Sequence, residues 1–358
     1  MTSDEFRARR HALVEGVDAL LVTHLPNARY LTGFTGSSAH ALVFEDGETI
    51  LFTDPRYSIQ ARAEAAGCRV VIAKGVLLAA VTRELAKRRV RKLGFETTRI
   101  THAGAEFLKS HLKLGVTMKP LDGVVELRRM TKSTAEIAAI RRAVETNSGA
   151  FQRALTRLRP GRTTESELAA EIDYAMRRLG ADGPAFETIV ASGRRSALPH
   201  ARPTSGGIGK NELLLIDMGA AQDGYASDMT RMVAVGRINA ASRRLYAAVL
   251  EAQLAAIDAV RPGVTAAGVD RAARRTLRAR KLDKAFVHST GHGLGLEIHE
   301  APRLGRKDQT RLQEGMAITI EPGAYIEGFC GVRIEDTVVV TRAGCDVLTP
   351  TSKQLLEI

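Results

Sequence analysis

Over the first 126 residues, short apolar runs at 19–22, 41–44, 50–53 and 70–73 alternate with stretches of helical character near 4–15, 56–66 and 76–88. Short apolar runs bounded by polar segments predict strands, and strands interleaved with helices predict a small α/β domain. The pattern breaks at Leu-Arg-Arg-Met-Thr-Lys, residues 127–132, which reads as a solvated linker extending over 127–133. Ser133 and Glu136 then form a capping box ahead of a helix with Ile137, Ile140 and Val144 on one face, so a second domain is expected over 134–358.

The second domain carries an internal repeat. Arg159-Pro160-Gly161 precedes a helix expected at about 164–179, and a later apolar run ends in Asp217-Met-Gly-Ala; Arg261-Pro262-Gly263 precedes a helix expected at about 265–281, and a later apolar run ends in Glu321-Pro-Gly-Ala. The first helix has a capping box from Thr164 to Glu167, an apolar stripe of Leu168, Ile172, Met176 and Leu179, and a stop at Gly180. Offsets are 102 residues between the two Pro-Gly motifs, 104 between Asp217 and Glu321, and 107 between Asp228 and Glu335. Near-constant offsets predict two similar halves related by a pseudo-two-fold axis.

Each half is expected to supply a hairpin bearing two carboxylates. Asp223-Gly224 is the dipeptide preferred in a two-residue hairpin turn, which sets 222 opposite 225 and 219 opposite 228. Asp217 and Asp228 then share a face as diagonal neighbours, roughly 7 to 8 Å apart at Cα. In the second half a five-residue loop, 327–331, sets 323 opposite 335, and Glu321 and Glu335 again share a face.

Singly, each of these acids reads equally well as an ordinary turn residue. Together, with His292 in Gly-His-Gly between them, they suggest a mostly oxygen-lined site for two divalent ions and hence a hydrolase. Four like charges at close range cannot all ionise unless cations neutralise them. Bound metal also lowers the pKa of water from 15.7 to about 7, so that hydroxide exists near neutrality. One imidazole and four carboxylates form a hard donor set, which favours Mn, Co or Fe(II) over a thiolate-type zinc site and leaves zinc open.

The strings Asp-Met-Gly-Ala at 217–220, Gly-Tyr-Ala-Ser-Asp-Met-Thr-Arg at 224–231, His-Ser-Thr-Gly-His-Gly-Leu-Gly-Leu-Glu-Ile-His-Glu at 288–300, Glu-Pro-Gly-Ala-Tyr at 321–325 and Gly-Val-Arg-Ile-Glu-Asp at 331–336 resemble the Xaa-Pro peptidases. These belong to the metallopeptidase family that includes methionine aminopeptidase and creatinase. Asn-Ala-Arg-Tyr-Leu-Thr-Gly-Phe at 27–34 and Leu-Phe-Thr-Asp-Pro-Arg-Tyr at 51–57 resemble the N-terminal domain of Xaa-Pro aminopeptidases and prolidases. The resemblance implies an α+β pita-bread catalytic domain over 134–358 behind a creatinase-like α/β domain over 1–126. It implies that Asp217 binds one ion through both oxygens, that Asp228 and Glu335 bridge, and that His292 with Glu321 completes the other ion. A bridging water or hydroxide would attack the carbonyl before proline. His200, His288, His299 and Arg333 match the family's catalytic histidines and active-site arginine. Arg333 shares the face of Glu335, where it would orient a bridging carboxylate or anchor substrate. The family also implies a homodimer and short proline-containing peptides as substrates.

Proline accounts for the need for such an enzyme: its nitrogen has no N–H, and its ring restricts the preceding residue. The N-terminal domain argues against methionine aminopeptidase, and the intact ligands argue against creatinase, which needs no metal. The N-terminal motifs favour Xaa-Pro aminopeptidase, with Xaa-Pro dipeptidase as the alternative. A dipeptidase would cap the free carboxylate of proline with a cation, but arginines are too abundant to single one out from sequence.

The formal charge of +12 raises a competing class, a nucleic-acid-binding module, supported by Arg271, Arg274, Arg275 and Arg278 at helical spacing. The chain has no tryptophan, only 4% aromatics, and no stacking residues among the basic ones, so nucleic acid is not the expected partner. Cys68, Cys330 and Cys345 cannot make a disulfide framework. With an acidic start and no apolar run of about 18 residues, a cytoplasmic protein without membrane contact is expected.

Overall fold

The computed structural model describes residues 3–11 and 13–358. The chain divides into two compact units, Met1–Arg129 and Met130–Ile358.

The first unit is built on a six-stranded mixed sheet ordered Arg69–Ile72, Thr49–Thr53, Ala39–Phe44, Ala19–Val22, Lys92–Phe95, Thr117–Pro120. Ala19–Val22 is buried at every position, as expected of a central strand covered on both faces. The first expected helix is shorter than predicted, Ser3–Arg10, and position 12 of the predicted span lies outside the described residues. The segment predicted as one helix at 56–66 begins instead with a 3-10 turn, Pro55–Tyr57, opened by the Asp54 carboxylate accepting from Arg56 N, and continues as Ser58–Glu64.

The stretch 127–132 is not a solvated linker. Residues up to Met130 belong to a helix, Val124–Met130, and Arg129 is buried with its guanidinium on Asn27 Oδ1 at 2.6 Å. Lys132 is also buried, its ammonium 3.1 Å from Glu300.

In the second unit both capping boxes form as predicted, at Ser133/Glu136 and at Thr164/Glu167. The long helices Thr134–Arg157 and Glu165–Arg178 pack together, as do Ala240–Asp258 and Ala266–Ala279. Beside each pair lies an antiparallel sheet: Ile189–Ser192, Glu212–Met218 and Met229–Val235 in one half, and Gly291–Gly293, Ala317–Ile320 and Asp336–Val340 in the other. The repeat extends to individual hydrogen bonds. Gly161 N donates to Ile208 O and Ile208 N to Thr163 O; in the other half Gly263 N donates to Leu312 O and Leu312 N to Val264 O. Thr164 bridges to Gly207, and Thr265 bridges to Arg311.

The first carboxylate hairpin has the predicted register, with Gln222 opposite Tyr225 and Thr230 opposite Asp217. The second does not. Arg333, not Glu335, faces Gly323, and Ile326 faces Cys330, so the loop has three residues, 327–329, rather than five. Gly328 at φ +73 supplies the left-handed residue that so short a loop needs. The slip is two residues, which preserves the face, and it sets Glu321 directly opposite Glu335 instead of diagonal to it.

Candidate metal centre

The two halves are joined at the hairpins. Glu335 N donates to Thr230 O at 3.2 Å, and Thr230 Oγ1 donates to Glu335 Oε2 at 2.7 Å, so a residue of the first hairpin fixes a carboxylate of the second. His292 arrives on the short strand Gly291–Gly293. A Cβ at Gly291 would lie 1.9 Å from Thr319 O, so only glycine lets this strand approach its neighbour closely enough to bring His292 forward.

The result is a compact group of donors. His292 Nε2 lies 3.5 Å from Asp228 Oδ2 and 3.4 Å from Glu321 Oε1. Asp228, His292 and Glu335 each offer an atom within 4.8 Å of the others, a spacing that could hold a metal ion. His292 Nδ1 faces Gly293 O at 3.0 Å, which makes Nδ1 the protonated nitrogen and leaves Nε2 with its lone pair toward the acids. Asp217 Oδ2 accepts from Arg333 at 2.6 Å, while its buried Oδ1 has no hydrogen-bond partner among the described residues.

Electrostatics give the same reading. Burial first, and then the neighbouring carboxylates Asp217 and Glu321, push Asp228 well above the usual range; burial and then Asp228, Glu321 and Asp217 do the same to Glu335. Glu321 is also raised, chiefly by burial, with His292 and Arg333 opposing. Three acids this uncomfortable as anions, beside the orphaned buried oxygen of Asp217, form a donor set that a divalent cation fits.

Arg333 is buried, and four of its five N–H groups have hydrogen-bond partners. It donates to Asp217, to Thr230 Oγ1 at 3.0 Å, to Pro199 O at 3.1 Å and to the Tyr325 hydroxyl at 2.6 Å. Burial works against its charge and is outweighed by Tyr325, Asp217, Glu321 and Glu335, which together hold its pKa well above the ordinary value. Its guanidinium sits on Asp217; among the described residues it makes no hydrogen bond to Glu335, the carboxylate whose face it shares, and it lies on the wall of the cavity described below.

The three other histidines divide. His288 Nδ1 faces Ser289 O at 2.8 Å and must donate to it, so Nε2 accepts from the Tyr325 hydroxyl at 2.9 Å. Burial, then the charge of Arg333, lowers His288 to about 4, which keeps it neutral at pH 7. His200 and His299 instead line a cavity of about 690 Å³ that also contains Asp217, Asp228, His292, Glu321 and Glu335, and neither ring has a hydrogen-bond partner among the described residues. The His299 ring centroid is 4.4 Å from that of His292, and its pKa is lowered by burial and then by His292.

Sequence reasoning missed Tyr325, whose hydroxyl bonds His288 and Arg333; it lies in the quoted Glu-Pro-Gly-Ala-Tyr string, where nothing local marks it. It also missed Arg202 and Arg303, the two arginines besides Arg333 on the cavity wall. Phe186, Ile189 and Ile298 supply an apolar side. Among the described residues no helix is long and apolar enough to cross a membrane.

Comparison with known proteins places this geometry among others. The model of metallopeptidase family M24 matches residues 138–342, and that of the creatinase/prolidase N-terminal domain matches residues 7–131. The chain is 36% identical to the Xaa-Pro dipeptidase of Pyrococcus horikoshii, over 95% of each sequence. It matches the solved structure of the Xaa-Pro dipeptidase from Bacillus anthracis with a TM-score of 0.95 and 36% identity over 100% of both chains. With X-Pro aminopeptidase from Thermotoga maritima the TM-score is 0.89 at 34% identity, covering 96% of this chain and 98% of that one.

Proposed function

Because the chain belongs to metallopeptidase family M24, with a creatinase/prolidase domain ahead of the catalytic one, we propose that it hydrolyses Xaa-Pro dipeptides. The observation that carries this reading is the convergence of Asp228, His292 and Glu335, with Glu321 and Asp217 beside them, in a cavity of about 690 Å³. The N-terminal motifs favoured the aminopeptidase; the relatives named Xaa-Pro dipeptidase, matching over essentially the whole chain, move the preference to the alternative.

Asp217, Asp228, His292, Glu321 and Glu335 would hold two divalent ions, manganese first by the hardness of the donors. Bound there, such ions supply Lewis acidity and make water acidic enough to furnish a nucleophile near neutral pH. The chain's own groups do the rest. Thr230 and Arg333 hold Glu335 and Asp217 in fixed orientations. An imidazole N–H from His200 or His299 would stabilise the tetrahedral oxyanion, and the other imidazole would pass a proton to the departing proline nitrogen, which carries no hydrogen of its own. Arg202 and Arg303, the cavity arginines that do not hold a carboxylate of the candidate metal site, would cap the free carboxylate of proline. Phe186 and Ile298 offer an apolar wall to the first side chain.

Hydrolysis of Ala-Pro and of Ala-Pro-Ala by the manganese-loaded protein tests the reading. Rapid turnover of the dipeptide and slow turnover of the tripeptide are expected, with Arg303→Met raising KM for Ala-Pro. Preference for the tripeptide would restore the aminopeptidase. A homodimer and a cytoplasmic setting belong to the same proposal, and a sedimentation profile with only monomer would remove the first.

A further inference from the structure

A second cavity, of about 840 Å³, adjoins the first and shares His288, Ser289 and Arg303 with it. Five cationic residues line it, Arg274, Lys284, Arg303, Arg306 and Lys307, against two acids, Asp283 and Asp308. They arrive from separate parts of the chain: the helix Ala266–Ala279, the turn Asp283–Ala285, the strand Glu300–Leu304 and the turn after it. Four segments bringing like charge to one concavity are unlike a solvated helix face, where one element carries the run.

Internal pairing leaves most of that charge unanswered. The guanidinium of Arg274 is spent on Asp270, at 2.7 Å, and on the carbonyls of Phe286 and His288. The Asp308 oxygens accept the backbone N–H groups of Arg303, at 2.9 Å, and Thr310, at 2.8 Å, and Asp283 lies 4.0 Å from Arg278. Lys284, Arg306 and Lys307 have no ion pair or side-chain hydrogen bond among the described residues, and Arg303 has only Ser289 Oγ at 3.4 Å. Cations in excess of the two acids repel one another, and an anion seated among them would relieve that repulsion while gaining charge-assisted hydrogen bonds from guanidinium and ammonium groups.

We propose that this cavity is a binding site for small multivalent oxyanions, flanking the catalytic cavity and coupled to it through Arg303. Lys284, Arg306 and Lys307 supply the affinity. An anion that engages Arg303 from this side competes for the guanidinium that faces the catalytic cavity, so occupancy weakens the hold on a substrate carboxylate. Binding itself is independent of which peptide is cleaved; only the effect on KM rests on the proposed dipeptidase reading.

The test is calorimetric titration of the manganese-loaded protein with sulfate and with pyrophosphate, beside the variant carrying Lys284→Ser, Arg306→Ser and Lys307→Ser and the single variant Lys307→Glu. The wild type is expected to bind both, pyrophosphate more tightly, and the triple variant to lose at least tenfold in affinity while still hydrolysing Ala-Pro at the wild-type rate. Binding aimed at the metals would survive in the triple variant, so equal affinity in wild type and both variants overturns the site. With Ala-Pro as substrate, sulfate is expected to raise KM of the wild type and leave that of the triple variant unchanged; binding without any change in KM overturns the coupling and spares the site.

Discussion

The guanidinium of Arg333 lies 2.6 Å from Asp217 Oδ2 and takes up one of its two oxygens, leaving Oδ1 buried without a partner among the described residues. The pairing explains why Asp217 can enter a cluster of acids that otherwise repel one another. It also leaves the unpartnered oxygen available to the cation proposed above. Replacing Arg333 with methionine removes the brace, and a lost outer contact to a metal-holding carboxylate lowers metal affinity or activity by about 10- to 100-fold. Arg333→Lys is expected to recover little, since one ammonium cannot reach Asp217, Thr230, Pro199 and Tyr325 together. Metal content after dialysis, with turnover of Ala-Pro, checks both; full occupancy and full rate in Arg333→Met would remove the brace from the account.

The metal-free protein should respond to pH in an unusual direction. Burial and mutual repulsion raise Asp228, Glu335 and Glu321 in the folded chain, so the fold binds their protons more tightly than the unfolded chain does. Their contribution to stability is fully present below about pH 4, the unfolded carboxylate range, and is lost as pH rises through the folded values. His288, lowered to about 4, acts oppositely: its contribution is present above about pH 6.5 and is lost as pH falls toward 4. Metal binding requires deprotonated acids and cancels their repulsion. The rise in melting temperature on adding manganese should therefore be larger at pH 8 than at pH 5.5. Equal increments at the two pH values would contradict the assignment of these acids to the metal.

His299 is expected to serve the reaction without holding metal. It lines the cavity with a free ring beside His292. His299→Ala should retain its metal and slow hydrolysis by roughly 10²- to 10⁴-fold, the usual contribution of a placed acid or base. An undiminished rate would return it to a packing role.

Much of this centre could be read from the chain because local chemistry dictated it. Asp223-Gly224 fixed one hairpin, and the capping boxes at Ser133 and Thr164 fixed the start of two helices. The second hairpin was misjudged by two residues because Glu327-Gly328-Phe329 has no such dipeptide, yet the period of two preserved the face of Glu321 and Glu335. What stayed hidden depends on partners far along the chain. Arg129 looks like a linker charge until Asn27 is placed beside it, and Lys132 until Glu300 is. Arg303 was one basic residue among 52 until the fold set it on the cavity wall.

The most direct measurement is turnover of Ala-Pro by protein stripped of metal and titrated with manganese, in parallel for the wild type and Glu335→Ala. The wild type should be inactive when stripped and recover to a plateau near two equivalents, while Glu335→Ala should remain inactive and bind one ion or none. Hydrolysis that survives stripping, or a Glu335→Ala protein with two ions and normal turnover, would contradict the account.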